Sequence, residues 1–350
     1  MANGVSVKKE YTFSAVTEMQ RDLWDRFVET RPDGHLLQSW GWGEFKATTG
    51  WQPVRLALWK DGEIVAGAQV LRRTASHVPL WIGHLAYIPK GPLVDWSKPE
   101  LCTMFFELLQ RYVQRRGALV LQMEPGEEQG IVGSESVILQ MKKIAAKPIH
   151  SLQPLRSIVL DLAPDEQTLL AQMKEKWRYN VRLASKRGVK VRAANSVEDV
   201  RAWYALYQTT GERDQFGIHT FQYYLDAWQI FAPGGKIRLL MAEHDGQLLA
   251  GIFVACFGGQ AIYLYGASSN EQRQLMPNYL LQWEAIRWVK EAGARVYDFW
   301  GIPDTESEDE EMAGVYRFKR GWGGRVVQFL GGYEVVYRPL VMRLARRWLV

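Results

Sequence analysis

Apolar and polar positions alternate on both sides of an Asp-Gly pair at two places in the chain: RLALWKDGEIVAGAQVLRR from Arg55 and RLLMAEHDGQLLAGIFVACFGG from Arg238. A period of two is the mark of a strand with one buried face, and Asp-Gly accepts the positive dihedrals of a tight hairpin turn. Each run therefore predicts an antiparallel hairpin. Both also carry the pattern DGxxxAG, at Asp61–Gly67 and Asp245–Gly251. Downstream the period changes. FFELLQRYVQRRGALVLQMEP (105–125) spaces its apolar residues three and four apart, as a helix with one buried face does, then passes through Gly117-Ala118 into a short apolar strand. LLQWEAIRWVKEAGARVYDFWGIP (280–303) does the same through Gly293-Ala294. Each half reads hairpin, further strand, helix, strand.

Two matched motifs in the same order predict a duplicated α/β (α+β) domain. A chain of 350 residues also exceeds what one core usually supports. The boundary is expected at the prolines of SLQPLRSIVLDLAPDEQ, giving domains of 1–155 and 156–325. The strand VVQFLGGYEVV and the tail, 326–350, are expected to return and complete the first domain, whose copy otherwise ends early.

Composition narrows the class. Hydrophobic content of 47% with 23% charge is that of a globular protein, and 15 Trp, 15 Tyr and 13 Phe suit clefts for sugars, bases or peptides. A net charge of +5 is compatible with a polyanionic partner without requiring one. Cys102 and Cys256 lack a CxxC spacing and the six His lack ligand spacing, so neither a disulfide framework nor a metal site is expected. The N-terminus, MANGVSVKKEYTF, has no signal-peptide core. The longest apolar run, 248–257, has 10 residues, half a membrane span. A cytoplasmic protein is expected.

The order of hairpin, strand, helix and strand resembles the acetyltransferase-like (GNAT) fold, implying two tandem domains, each a mixed central sheet flanked by helices. That resemblance implies a pyrophosphate loop, Q/R-x-x-G-x-G/A, at a helix N-terminus, where backbone N–H groups meet phosphate. The corresponding place in the second half reads Arg273-Gln-Leu-Met276-Pro277-Asn278. Methionine replaces the first glycine and proline removes a donor, so no acyl-CoA is expected.

Eight stretches then resemble the Fem family of non-ribosomal peptidyltransferases: HLLQSWGWGEFK (35–46), YIPKGPLVDW (87–96), KEKWRYNVRLASKRGVKV (174–191), TTGERDQFGIH (209–219), YLYGASS (263–269), MPNYLLQWEAIRW (276–288), YDFWGIP (297–303) and GVYRFKRGWGG (314–324). They follow the family order over nearly the whole chain. No sustained heptad marks the coiled-coil arm of some members, so the chain is similar to the compact, FemX-like ones. The resemblance implies transfer of an amino acid from aminoacyl-tRNA, as co-substrate and without other cofactor, to the peptide stem of a peptidoglycan precursor. The acceptor would be a UDP-linked or lipid-linked (lipid II) muramyl-pentapeptide. An N-acyltransferase using another donor, and a non-catalytic precursor or tRNA-binding module, are the alternatives.

That reaction asks for an oxyanion stabiliser and a proton acceptor. In isolation Lys319 reads as a solvated cation in a glycine-rich turn. By resemblance it stands beside the reacting ester, with the Phe318 backbone contributing and Gly321, Gly323 and Gly324 admitting substrate. Asp95 and Asp298 lie in matched motifs, and either is a candidate proton acceptor or a turn-capping carboxylate. Lys46 matches the lysine that meets the precursor's diphosphate, and Arg213 the arginine on the other side of the same ligand. Tyr87, Tyr263, Tyr265 and Trp42 are the aromatic candidates for the precursor cleft, with at most one of Tyr263 and Tyr265 expected to face it.

Lys174, Arg178, Arg182 and Lys186 recur every fourth residue, a cationic helix stripe opposite Met173, Trp177, Val181 and Ala184. It reads either as a solvated face or, for an enzyme using tRNA, as a phosphate-tracking one. DTESEDEE (304–311) reads as an exposed acidic loop. RPLVMRLARRWLV (338–350) reads as a short basic amphipathic helix, suited to peripheral contact with the inner membrane face or to packing on the first domain.

Overall fold

A computed structural model describes residues 5–8, 10–74, 83–303 and 313–343. The acidic stretch 304–311 and the end of the basic tail, 344–350, lie outside them. The chain divides into two compact units, Met1–Leu155 with Gln328–Val350, and Arg156–Val327.

In chain order the first unit contributes β1 (Val5–Lys8), β2 (Tyr11–Ala15), α1 (Arg21–Thr30), α2 (Trp40–Ala47), β3 (Gln52–Lys60), β4 (Glu63–Arg73), β5 (His84–Pro89), α3 (Pro99–Arg115), β6 (Ala118–Glu124), α4 (Ser134–Lys143) and β7 (Lys147–Ile149). The second contributes β8 (Arg156–Asp161), α5 (Glu166–Gln172), α6 (Glu175–Lys186), β9 (Lys190–Ala193), α7 (Val197–Asp214), α8 (Phe221–Phe231), β10 (Ile237–His244), β11 (Gln247–Phe257), β12 (Gln260–Ser268), α9 (Pro277–Glu291), β13 (Val296–Gly301), α10 (Ala313–Arg320) and β14 (Arg325–Gln328). The chain then re-enters the first unit as β15 (Gly332–Val336). VVQFLGGYEVV is thus two strands, split where Gly331 takes a φ of 86°: its first half stays with the second sheet.

The first sheet runs β1-β2-β3-β4-β5-β6-β15-β7 and the second β14-β8-β13-β12-β11-β10-β9. Read from their hairpins, the two orders match over seven strands, β1 being an extra strand at the edge of the first sheet. Both hairpins turn on their Asp-Gly, with φ of 51° and 85° at Asp61-Gly62 and 49° and 78° at Asp245-Gly246. The glycine that closes each DGxxxAG makes room for an indole. A Cβ on Gly67 would stand 2.8 Å from Trp24 of α1, and one on Gly251 2.5 Å from Trp203 of α7. Both indoles are fully buried, Trp24 Nε1 donating to the Gln38 carbonyl at 2.8 Å and Trp203 Nε1 to that of Gly251 at 3.0 Å.

The copies part company at their parallel strands. β5 pairs with β6 along its whole length, from His84 against Ala118 to Pro89 against Glu124. β12 pairs with β13 only from Gln260 against Val296 to Ile262 against Asp298, although β12 continues to Ser268. Past Ile262 the second sheet has no ladder between these strands.

Candidate active site

Lys319 is delivered to that divergence. It sits near the end of α10, a helix and not a turn, and is 7% exposed. Its ammonium donates to the Gly301 carbonyl at 2.7 Å and to that of Trp300 at 3.4 Å, both at the end of β13, and lies 5.6 Å from the Tyr263 ring of β12. Burial lowers its pKa from 10.5 to about 8, opposed by the charge of Asp298. An ammonium has three N–H groups, and the third has no partner among the described residues.

The three glycines that follow serve packing instead of ligand approach. The Trp177 indole lies where a Cβ of Gly321 would be, while Cβ atoms on Gly323 and Gly324 would meet the backbone of Gln172 and Val159, each at 2.8 Å. Gly323 also has a φ of 92°. The Phe318 backbone is likewise engaged: its carbonyl accepts from Trp177 Nε1 at 3.0 Å, and its ring packs on Tyr279 and Trp322. A carbonyl only accepts, so any contribution of this backbone to a developing negative charge would have to come from an N–H. Asp298 is held by the Ser157 hydroxyl and by the Trp300 N–H at 2.7 Å.

Tyr263 and Tyr265 face opposite sides, for a reason that strand alternation does not supply. Residues two apart in a regular strand share a face. Here Phe253 pairs with Tyr265 while Val254 pairs with Tyr263, so Leu264 is the extra residue of a bulge. Tyr263 packs into the core under α9, its hydroxyl occupying the space that a Cβ on Gly266 would need. Tyr265 joins Tyr207, Tyr224 and Phe253 on the other face, its hydroxyl 3.4 Å from that of Tyr223. Only Tyr263 accompanies Lys319.

Arg213 is not an open phosphate clamp. Its Nε and Nη2 each donate to the Asp214 carboxylate at 2.8 Å; Nη1 donates to the Ser268 carbonyl and Asn270 Oδ1, both at 3.0 Å; Nη2 also reaches Ser268 Oγ at 3.1 Å. All five donors of the guanidinium are committed, tying the end of α7 to the end of β12. The cationic stripe is also thinner than its spacing suggests. Lys174, Arg182 and Lys186 are exposed, but Arg178 folds back onto the carbonyls of Leu170, Ala171 and Met173 at the end of α5, a cation capping a helix C-terminus. Met173, Val181 and Ala184 are buried as expected, and Trp177 half-buried.

In the first unit Lys46 closes α2, its ammonium 5.9 Å from the Trp42 ring and 5.6 Å from Phe45. Burial, and then the like charge of Arg73, lower it to about 8. Arg73, which the sequence reading passed over, lies 5.4 Å over Trp51, and Trp51 packs on Tyr87 at 6.1 Å. Two cations drawn together on an aromatic floor make a surface suited to an anion. Tyr87 belongs to that floor by its ring alone. It is 5% exposed, and its hydroxyl donates to Glu124 at 3.2 Å and accepts from Gln153 at 2.9 Å, both within the protein. Asp95 is a turn carboxylate. It accepts from the Ser97 N–H and hydroxyl and pairs with Lys98 at 2.8 Å, which hold its pKa down at about 2, too low for a useful base.

Among the described residues no cluster of His, Cys, Asp or Glu could hold a metal, and no helix is long and apolar enough to cross a membrane.

A model of the FemAB family matches residues 19–247 and 240–347. A lipid II:glycine glycyltransferase of Staphylococcus haemolyticus (strain JCSC1435) is 26% identical, over 90% of this chain and 91% of that protein. A lipid II:glycine glycyltransferase of Staphylococcus aureus (strain MRSA252) is 25% identical over the same shares. Among solved structures, the crystal structure of FemX superposes with a TM-score of 0.87 at 24% identity, covering 95% of this chain and 99% of that one. A tandem GNAT protein from the clavulanic acid biosynthesis pathway superposes at 0.54 with 13% identity, over 93% and 98%. The fold is thus a pair of acetyltransferase-like domains.

Proposed function

The chain belongs to the FemAB family, and on that premise we propose that it is an aminoacyltransferase of peptidoglycan synthesis. It moves an amino acid from aminoacyl-tRNA to the amino group of a muramyl-pentapeptide stem, building an interpeptide bridge. The observation that carries this reading is Lys319, a buried ammonium with one N–H left over, placed where the ladder between β12 and β13 stops. In the reaction the acceptor amine attacks the ester carbonyl, the C–N bond forms, and the bond between the carbonyl carbon and the ribose oxygen breaks. The proton lost by the amine ends on the leaving ribose hydroxyl. Between these events the carbonyl oxygen carries negative charge, which the free N–H of Lys319 stabilises. A donor of this kind contributes on the order of 10²–10³ in rate.

The acyl group does not come from CoA. At the turn before α9, where that cofactor's pyrophosphate would need N–H groups, Leu275, Met276 and Tyr279 spend theirs on the carbonyls of Gln272, Arg273 and Met276, and Pro277 has none. Lys46 and Arg73 take the diphosphate of the precursor, and Lys174, Arg182 and Lys186 meet tRNA phosphates. The relatives are named for lipid II and glycine, so lipid II with glycyl-tRNA is the first pair to try, the enzyme working peripherally at the membrane face.

The test is a transfer assay with a pool of labelled aminoacyl-tRNAs and two acceptors, UDP-linked and lipid-linked muramyl-pentapeptide. Label reaching an acceptor, abolished by RNase and by Lys319→Met, supports the reading. Precursor binding without transfer from any aminoacyl-tRNA would overturn it in favour of a non-catalytic module.

A further inference from the structure

The Lys319 acceptors exist only because β13 is deformed, and the deformation has a clamp. Asp298 pairs with Val159 of β8, but the next pair is Gly301 with Ser157, so β13 spends three steps where β8 spends two. The surplus residue is taken up at Trp300, whose φ of 62° is costly for a side chain of that size. Two groups hold it there. The Asp298 carboxylate accepts from the Trp300 N–H at 2.7 Å, and Ser157 Oγ lies against both Asp298 Oδ1 and, at 3.0 Å, the Trp300 carbonyl. A hydroxyl has one proton, and the carboxylate is its stronger acceptor. The result is two consecutive carbonyls, of Trp300 and Gly301, within reach of one ammonium.

The first unit supplies an internal control. In the equivalent position β15 pairs with β6 from Tyr333 against Met123 to Val336 against Val120 with no slip. Over those four pairs the fold asks for no slip, and the ladder ends at Met123, before the counterparts of Trp300 and Gly301. The bulge occurs in the copy that carries Lys319.

We propose that Ser157 and Asp298 are a positioning pair: together they lock the Trp300 bulge and thereby aim and charge-balance Lys319. The inference rests on the transferase reading for its purpose, not for its geometry. Apart from Asp298 of β13, the groups that face Lys319 are Tyr263 of β12 and, behind it, Tyr297; Arg156 of β8 is turned to the Pro303 carbonyl, and Arg320 of α10 to that of Gly324. Among the described residues Asp298 is the acid whose charge bears on Lys319.

The full chain, with ¹³C-labelled lysine side chains, is titrated by NMR without substrate, Lys319→Arg identifying the Lys319 signal. Asp298→Asn removes the opposing charge, and the Lys319 titration moves down by about half a pH unit or more. Ser157→Ala leaves the carboxylate its full charge, and the titration moves up, while Ser157→Thr restores it. Loosened packing would instead let water in and move both variants upward. Both moving up, or neither moving, overturns the pair; should Ser157→Ala fail to fold, Asp298→Asn still decides, and should Asp298→Asn fail to fold, Asp298→Ala is titrated in its place. In the transfer assay Ser157→Ala lowers kcat about tenfold with the acceptor KM unchanged, and Ser157→Thr recovers it. Absence of transfer by the wild type, with the opposite titration shifts present, sinks the transferase reading and leaves the pair standing.

Discussion

Replacing Lys319 by methionine is expected to open a stability difference that depends on pH. In the folded protein the ammonium titrates at about 8, against 10.5 when exposed. At about 1.36 kcal/mol per pH unit the gap corresponds to roughly 3 kcal/mol. The sign follows from where the proton sits. Below about pH 8 both states hold it, and the folded state bears the cost of a buried charge. From about 8 to 10.5 the unfolded chain keeps a proton that the folded one has shed, so raising the pH stabilises the wild type. Methionine fills similar space without titrating. Its own offset, from leaving the Gly301 carbonyl without a donor, is the same at every pH and drops out of the comparison. Urea unfolding of both proteins, followed by tryptophan fluorescence between about pH 7 and about pH 10.5, measures the difference directly. Wild type should gain roughly 3 kcal/mol on the variant across that window. A difference that stays flat, or falls as pH rises, would refute the claim that Lys319 is held charged at a cost.

Four further outcomes are expected. Gly251→Ala, and Gly67→Ala in the other copy, should each cost about 1–3 kcal/mol in thermal unfolding, because the new methyl meets the Trp203 or Trp24 indole. Lys46→Ala and Arg73→Ala should each weaken binding of UDP-linked precursor about tenfold by calorimetry, and lessen its sensitivity to salt. Reversing Arg182 and Lys186 together should lower tRNA affinity and reduce the slope of log K against log salt by about two, whereas Arg178→Glu should show itself first as lost stability at the end of α5. Tyr87→Phe should leave precursor affinity unchanged and cost about 1 kcal/mol of stability, since its hydroxyl serves Glu124 and Gln153.

What was legible in the sequence was local. Asp61-Gly62 and Asp245-Gly246 announce their hairpins because the turn's positive φ values select those residues directly, and the helices before Gly117 and Gly293 announce themselves by period. The duplication followed from order alone. What stayed hidden depends on residues far apart in the chain. The glycines after Lys319 look like a ligand loop until Trp177 of α6 is found lying on one of them. Arg213 and Arg178 look like free cations until Asp214, Ser268 and the carbonyls that end α5 are in place around them. Arg73 and Ser157 carry no motif, and only the partners that folding brings to them, Lys46 for one and Asp298 for the other, give them meaning.

The two copies also show how one architecture divides its work. A parallel pair that is laddered to its end, as β5 and β6 are after a register shift at His84/Leu85, leaves no room between the strands there. The second copy gives up that pairing after Ile262, accepts a bulge with a tryptophan at positive φ, and buries an ammonium. Each change lowers stability on its own, and all three meet at one lysine. The first copy has costs of its own: Lys90, just past β5, is buried with a φ of 48°, and Lys46 and Arg73 crowd over Trp42 and Trp51, an arrangement that a bound anion would relieve. Frustration in a folded chain is informative when it is concentrated and when a sister copy shows that the fold did not require it. The first condition holds at Lys319, and on the proposed reading the bond-making step belongs there, with Lys46 and Arg73 left to take the precursor's phosphates.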